Sequence, residues 1–91
     1  MKVTVLFFGK LKELTGGNTI PIDLPEGATY VHLQKELRLH FGKEFPDWVW
    51  DSETGLLKET FLAVGAGRDL DSDTVLKEGE EVKIVPILPG G

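Results

Sequence analysis

The 91-residue chain has no cysteine. That absence removes disulfides, thiolate-held zinc, iron–sulfur ligation and side-chain persulfides together, so whatever chemistry the protein takes part in uses other atoms. Long apolar runs are also missing: nothing approaches the roughly 18 residues of a membrane span. The opening "MKVTVLFFGK" is too short for a signal h-region followed by a small-residue cleavage site. A cytoplasmic protein with no membrane partner is therefore expected. Basic residues are few, with 10 Lys and Arg against 15 Asp and Glu and a net charge of −5. Without a positive field there is no general attraction to a phosphate backbone, which argues against nucleic acid and in favour of a basic protein surface as partner. Internal repeats, low-complexity tracts and linkers are absent as well.

What is present fits one small domain, residues 1–91. A chain well under about 150 residues rarely splits and supports a single core. The hydrophobic fraction of 41% and charged fraction of 27% lie near globular averages, so a stable fold is expected. Lys2 to Phe8 is a β-branched and aromatic run with little polar alternation, which places it at the centre of a sheet. After a helical turn at Lys10 to Leu14, "TGGN" reverses the chain. Thr19 to Leu24 then alternates as a hairpin partner, and Pro21 puts that strand at an edge. Thr29 is a candidate helix N-cap; Leu33, Leu37 and Phe41, with Tyr30 near them, form one apolar stripe, and Gly42 is the stop. Residues 43–58 read as a hairpin or extended excursion after the Pro46 break, with Trp48 and Trp50 alternating onto one strand face, either packing at the core edge or anchoring a partner. Phe61 to Val64 and Glu81 to Ile87 are the remaining strands.

Two apolar strands at the ends of a chain with one helix between them bury best when they pair in parallel at the centre of a mixed sheet. The expected class is α+β: a ubiquitin-like β-grasp of about four to five strands with one main helix on one face.

Motifs that would carry catalysis fail on inspection. His32 and His40 are eight apart on the helix, not the three or four that let two imidazoles share a metal. In "DLDSDTVLKEGE" the sixth position of a calcium loop is Thr74 instead of glycine, so a turn is the better reading and no metal is expected. "GAGRDL" lacks the third glycine of a dinucleotide fingerprint, and "TGGN" lacks the Lys-Ser/Thr step of a phosphate loop. No catalytic site of the chain's own is expected.

The C-terminal "IVPILPGG" is different. Pro86 and Pro89 resist helix and stiffen the exit from the last strand, Leu88 supplies an apolar handle, and Gly90 and Gly91 have no side chain to obstruct a narrow groove. Residues 88–91, if extended, form a tail that projects the terminal carboxylate by roughly 13 Å. A free carboxylate is inert as an acyl donor because oxide leaves poorly. Joined to the α-phosphate of ATP it becomes an acyl adenylate whose AMP leaves readily, and sulfide or a persulfide can replace that AMP. The product is a thiocarboxylate, a nucleophilic sulfur carried without cysteine.

Three stretches, "VTVLFFGKLKELTG" (3–16), "LPEGATYVHLQKEL" (24–37) and above all "DSDTVLKEGEEVKIVPILPGG" (71–91), resemble the MoaD/ThiS family of ubiquitin-like sulfur carriers, most of all the small subunit of molybdopterin synthase. The resemblance implies that Gly91, with Gly90 before it, is adenylated and thiocarboxylated. ATP and Mg²⁺ would be used by an adenylyltransferase related to ubiquitin-activating enzymes, with no cofactor bound to the carrier itself. It implies further partners in a persulfide sulfur donor and in the large synthase subunit, which would complete the enzyme. Val85, Pro86, Ile87, Leu88 and Pro89, together with Phe7, fall where the family has apolar partner-facing positions; sheet core is the other reading of Phe7. Relatives often have V-N-G where this chain has "VGAGRD", and Pro-Pro-Val-Ser where it has Pro86-Ile87-Leu88-Pro89. The stretch around "DWVWDSETGLLKETF" resembles the elongated members, some of which serve cysteine synthesis, RNA thiolation or protein conjugation. A protein modifier, a carrier for thiamine, cysteine or tRNA thiolation, and a plain β-grasp binding module are therefore the alternatives to the molybdopterin role.

Overall fold

Alternating burial along Lys2–Phe7 shows why this segment becomes a strand: Val3, Val5 and Phe7 point into the core, while Lys2, Thr4 and Leu6 point away. The computed structural model describes residues 1–87. Within them the order is β1 (Lys2–Phe7), α1 (Lys10–Leu14), β2 (Ile20–Asp23), α2 (Tyr30–Phe41), a 3-10 turn (Asp47–Val49), β3 (Phe61–Val64) and β4 (Glu81–Pro86). The strands form one sheet in the order β2-β1-β4-β3. β1 and β4 run parallel at its centre, with Val5 opposite Val82 and Phe7 opposite Ile84. β2 and β3 flank them antiparallel, with Val3 opposite Ile22 and Ala63 opposite Ile84. Pro21 does sit on an edge strand, facing away from the core. This is the β-grasp fold, at four strands.

α2 lies on the core side of the sheet, with Tyr30, Leu33, Gln34 and Leu37 buried. Its first-turn N–H groups need partners. Tyr30 and Val31 donate to the carbonyls of Thr74 and Ser72, and the Thr29 N–H donates to Nδ1 of His32 at 3.0 Å. The acidic 69–76 loop thus closes the helix start through its backbone. Its own turn is held by the Asp71 N–H on the Thr74 hydroxyl and the Thr74 N–H on the Asp71 carbonyl. Gly42 ends α2 in a right-handed conformation, and the turn runs on as Phe45 donates back to Phe41.

Residues 43–58 differ from the sequence expectation. A short bridge between Trp50 and Leu57 is all the hairpin there is, and the Trp pair enters it from a 3-10 turn, not a strand. Without strand alternation the two indoles separate: Trp50 is buried and Trp48 is exposed. Phe45, Val49, Trp50 and Leu57 close the end of the core, and the buried Gln34 Oε1 accepts from the Leu57 N–H at 3.1 Å to tie the segment to α2. No helix among the described residues is long and apolar enough to cross a membrane.

Candidate functional site

β4 is, with β1, one of the two central strands of the sheet and is paired on both sides. Its entry is fixed by Glu80, whose side chain is 1% exposed. That carboxylate accepts from Arg68 Nη2 at 2.9 Å, from Arg68 Nε at 3.3 Å, and from the backbone N–H groups of Lys77 and Ala66 at 3.0 and 3.2 Å. Burial alone would push the carboxyl up; the Arg68 guanidinium and the backbone donors overcome this and hold it below the usual carboxylate range. Gly65 packs so closely against the Glu80 carboxylate that a Cβ there would collide with it. The glycine in "VGAGRD" thus makes room for the clamp.

The exit of β4 is fixed too. Pro86 lies opposite Phe61, and the Ile87 N–H donates to the Thr60 carbonyl at 2.9 Å. The described chain therefore leaves the sheet from a defined point, with the Ile87 side chain 54% exposed. Of the sequence-predicted site residues, Val85 and Pro86 are half-buried and Ile87 is exposed at this exit. Leu88, Pro89, Gly90 and Gly91 lie outside the described residues.

Phe7 requires a correction. It is fully buried, its ring meeting Phe41 and Phe45 edge-on at 5.9 and 5.3 Å. Phe41 and Phe45 stack at 4.7 Å, and Phe45 continues to Trp50 at 6.0 Å. Strand parity is the cause: Phe7 shares its side of β1 with Val3 and Val5, so its side chain belongs to the core and no partner reaches it.

The same parity exposes residues that sequence reasoning did not single out. Leu6, Val64 and Lys83 are neighbours in register on the outer side of the sheet, and Leu62 lies beside Val85 in the next row. Leu62 is exposed; Leu6, Val64 and Val85 are half-buried. No described helix covers this side, so Leu6, Val64, Leu62 and Val85 present an apolar strip that crosses the sheet beside the charged Glu81 and Lys83 of β4 and reaches toward Ile87. The Lys83–Glu81 pair spans 3.9 Å between half-exposed groups and adds little stability. The signal was available in the outward positions of "LFF", "FLAV" and "KIV", but without register they could not be assembled.

What this arrangement offers chemically is presentation: a compact sheet-and-helix handle, an apolar strip and a fixed exit at Ile87 for the residues that follow. Among the described residues no three His, Asp or Glu side chains are grouped to hold a metal ion.

A family model described as ThiS matches residues 5–91. In fold the chain is similar to SAMP1 of Haloferax volcanii, with a TM-score of 0.83 at 20% identity over 100% of both chains. It is also similar to a Pyrococcus furiosus protein assigned as molybdopterin converting factor, subunit 1, with 27% identity, a TM-score of 0.68 and coverage of 97% of this chain and 99% of that one. Urm1 of Trypanosoma brucei gives 25% identity and a TM-score of 0.73 over 99% and 95% of the two chains. No curated protein sequence matches.

Proposed function

Since this chain belongs to the ThiS family, matched over residues 5–91, we propose that it is a sulfur carrier acting through the carboxylate of Gly91. A carboxylate oxygen attacks the α-phosphorus of ATP on an activating enzyme and pyrophosphate leaves. Sulfide, or the terminal sulfur of a persulfide, then attacks the acyl carbon and expels AMP. With a persulfide, a second thiol of the donor cleaves the S–S bond and frees the thiocarboxylate. ATP and Mg²⁺ belong to the activating enzyme, related to ubiquitin-activating enzymes. The carrier contributes its fold as handle and its tail as substrate. The observation that carries this reading is the root at Ile87: hydrogen-bonded to Thr60 and exposed, it gives "LPGG" a fixed starting point from which the reactive end can reach into another protein.

The favoured pathway is molybdopterin synthesis, with the chain as small subunit of a synthase whose larger subunit receives the sulfur. The likeness at 27% identity to the Pyrococcus furiosus protein assigned as molybdopterin converting factor supports it. A second reading, a protein modifier joined through Gly91 to a lysine, needs the same tail, and the fold likeness to an archaeal small modifier protein is its support. Carriers for thiamine, cysteine or tRNA thiolation use the same chemistry with other acceptors. Intact mass after incubation with ATP, a sulfur source and the host's activating enzyme separates carrier from modifier. A sulfur-for-oxygen gain on the free chain supports the first; lysine conjugates on denaturing gels, with no such gain, support the second.

A further inference from the structure

Trp48 stacks on Phe61 with ring centroids 6.2 Å apart and planes 16° apart, yet it remains 41% exposed. The exposed side chain forms one wall of an open groove with Pro46; Lys10, Glu13 and Leu14 of α1 form the other. Leu14 is likewise exposed, and Leu11 anchors α1 in the core. One face of the indole covers Phe61, while the other is left open beside an exposed leucine, in a segment that supplies Phe45, Val49, Trp50 and Leu57 to the core.

The position of that open face supplies a use. β1 and β4 run parallel, so α1, which follows β1, lies at the same end of the sheet as the β4 exit. Phe61, under Trp48, is the register partner of Pro86. Trp48 is therefore no more than about 15 Å from Pro86, taking one strand spacing, the reach of one side chain and the stacking distance together. An enzyme holding Gly91 in its active site is tethered to Ile87 by four residues, roughly 13 Å at full extension. A standard interface of about 800 Å² per partner extends some 16 Å in every direction from its centre. The groove thus lies within the radius of a footprint centred on the tail root.

Resting on the carrier reading, we propose that the groove between α1 and the Pro46–Trp48 segment docks the adenylating enzyme, receiving a bulky apolar side chain against Trp48 and Leu14. Lys10 and Glu13 on its rim meet opposite charges there. The segment between α2 and β3 is then the part of this chain that distinguishes its own activating enzyme from others that would accept any Gly-Gly tail.

The test is ATP–pyrophosphate exchange by the host's adenylating enzyme as the concentration of the full chain is varied. Trp48→Ala and, as a variant that removes no core cover, Leu14→Ser should each raise KM about tenfold, as truncating an interface anchor does, with kcat within about twofold. Leu39→Ala, exposed on α2 away from the groove, should leave both unchanged. Acrylamide quenching of Trp48 should fall when enzyme is added. Wild-type KM in both groove variants, or undiminished quenching in the complex, overturns the groove assignment alone. Absence of exchange with the wild-type chain overturns the tail reading and the groove with it.

Discussion

Replacing Arg68 with alanine strands the Glu80 carboxylate. The Lys77 and Ala66 N–H donors remain, but the bonds from Arg68 at 2.9 to 3.3 Å and the opposing charge are lost inside the protein. Breaking a fully buried pair from one side costs about 3–5 kcal/mol. Arg68 is 31% exposed and water enters where it stood, which lowers the figure to about 2 kcal/mol. In a domain this small that corresponds to a fall in Tm of about 10 °C. The pH dependence follows from the direction of the Glu80 shift. In the native chain its pKa lies below the unfolded value, so its contribution is complete above the unfolded carboxylate pKa of about 4.3 and fades as pH falls through the folded value. In Arg68→Ala burial is offset only by the Lys77 and Ala66 N–H groups, the pKa moves up, and protonation relieves the cost of a buried charge without its counterion. The gap in Tm between the two proteins should therefore be widest near neutral pH and narrow as pH drops to about 3. A residue of it should persist from the lost Arg68 bond to the Val75 carbonyl. Thermal melts followed by circular dichroism across this range are the assay. Adding Glu80→Gln to Arg68→Ala should recover part of the loss, since no charge is then buried. A gap under about 3 °C at neutral pH, or one that does not change with pH, would refute the reasoning.

Phe7→Ala should cost about 3–5 kcal/mol and lower Tm steeply, because it opens a cavity beside Phe41 and Phe45; a melt close to wild type would return Phe7 to the partner-facing reading. Leu62→Asp, on the exposed strip, should change stability by no more than about 0.5 kcal/mol while raising the concentration needed for adenylation or sulfur transfer; unchanged kinetics would remove the strip from the interface. Deleting Gly91 should leave the melt unchanged and abolish adenylation, and surviving adenylation would show that the reaction does not require Gly91 and accepts a carboxylate one residue shorter.

The fold was legible because its determinants are local and periodic. The β-branched and aromatic run "VTVLFF", the stripe Leu33–Leu37–Phe41 and the Pro21 edge signal rest on residue type and short spacing, and the parallel pairing of the first and last strands follows from burying two apolar strands. What failed depends on long-range geometry. The Trp48–Trp50 stretch has apolar residues in no clean period, and only packing against Phe45, Phe61 and Arg38 decides which indole is covered. The Arg68–Glu80 clamp joins residues 12 apart through two turns, and nothing local in the sequence marks either as buried. Residue type alone puts Phe7 in the first strand and leaves its side open between core and partner; the register of β1 against β4 fixes it in the core. The apolar strip was spread over three segments and becomes a surface only once the sheet is assembled. The proposed tail chemistry rests on residue type and on the family resemblance, and it concerns residues outside those described.

The central claim is that Gly91 carries sulfur as a thiocarboxylate. Intact-mass analysis of the full chain after incubation with ATP, a sulfur source and the host's activating enzyme tests it most directly. The predicted result is the increment of one sulfur-for-oxygen exchange, located by fragmentation to Gly91 and lost on its deletion. An unchanged mass under conditions where ATP is consumed by the enzyme, or an increment located on any other residue, would contradict it.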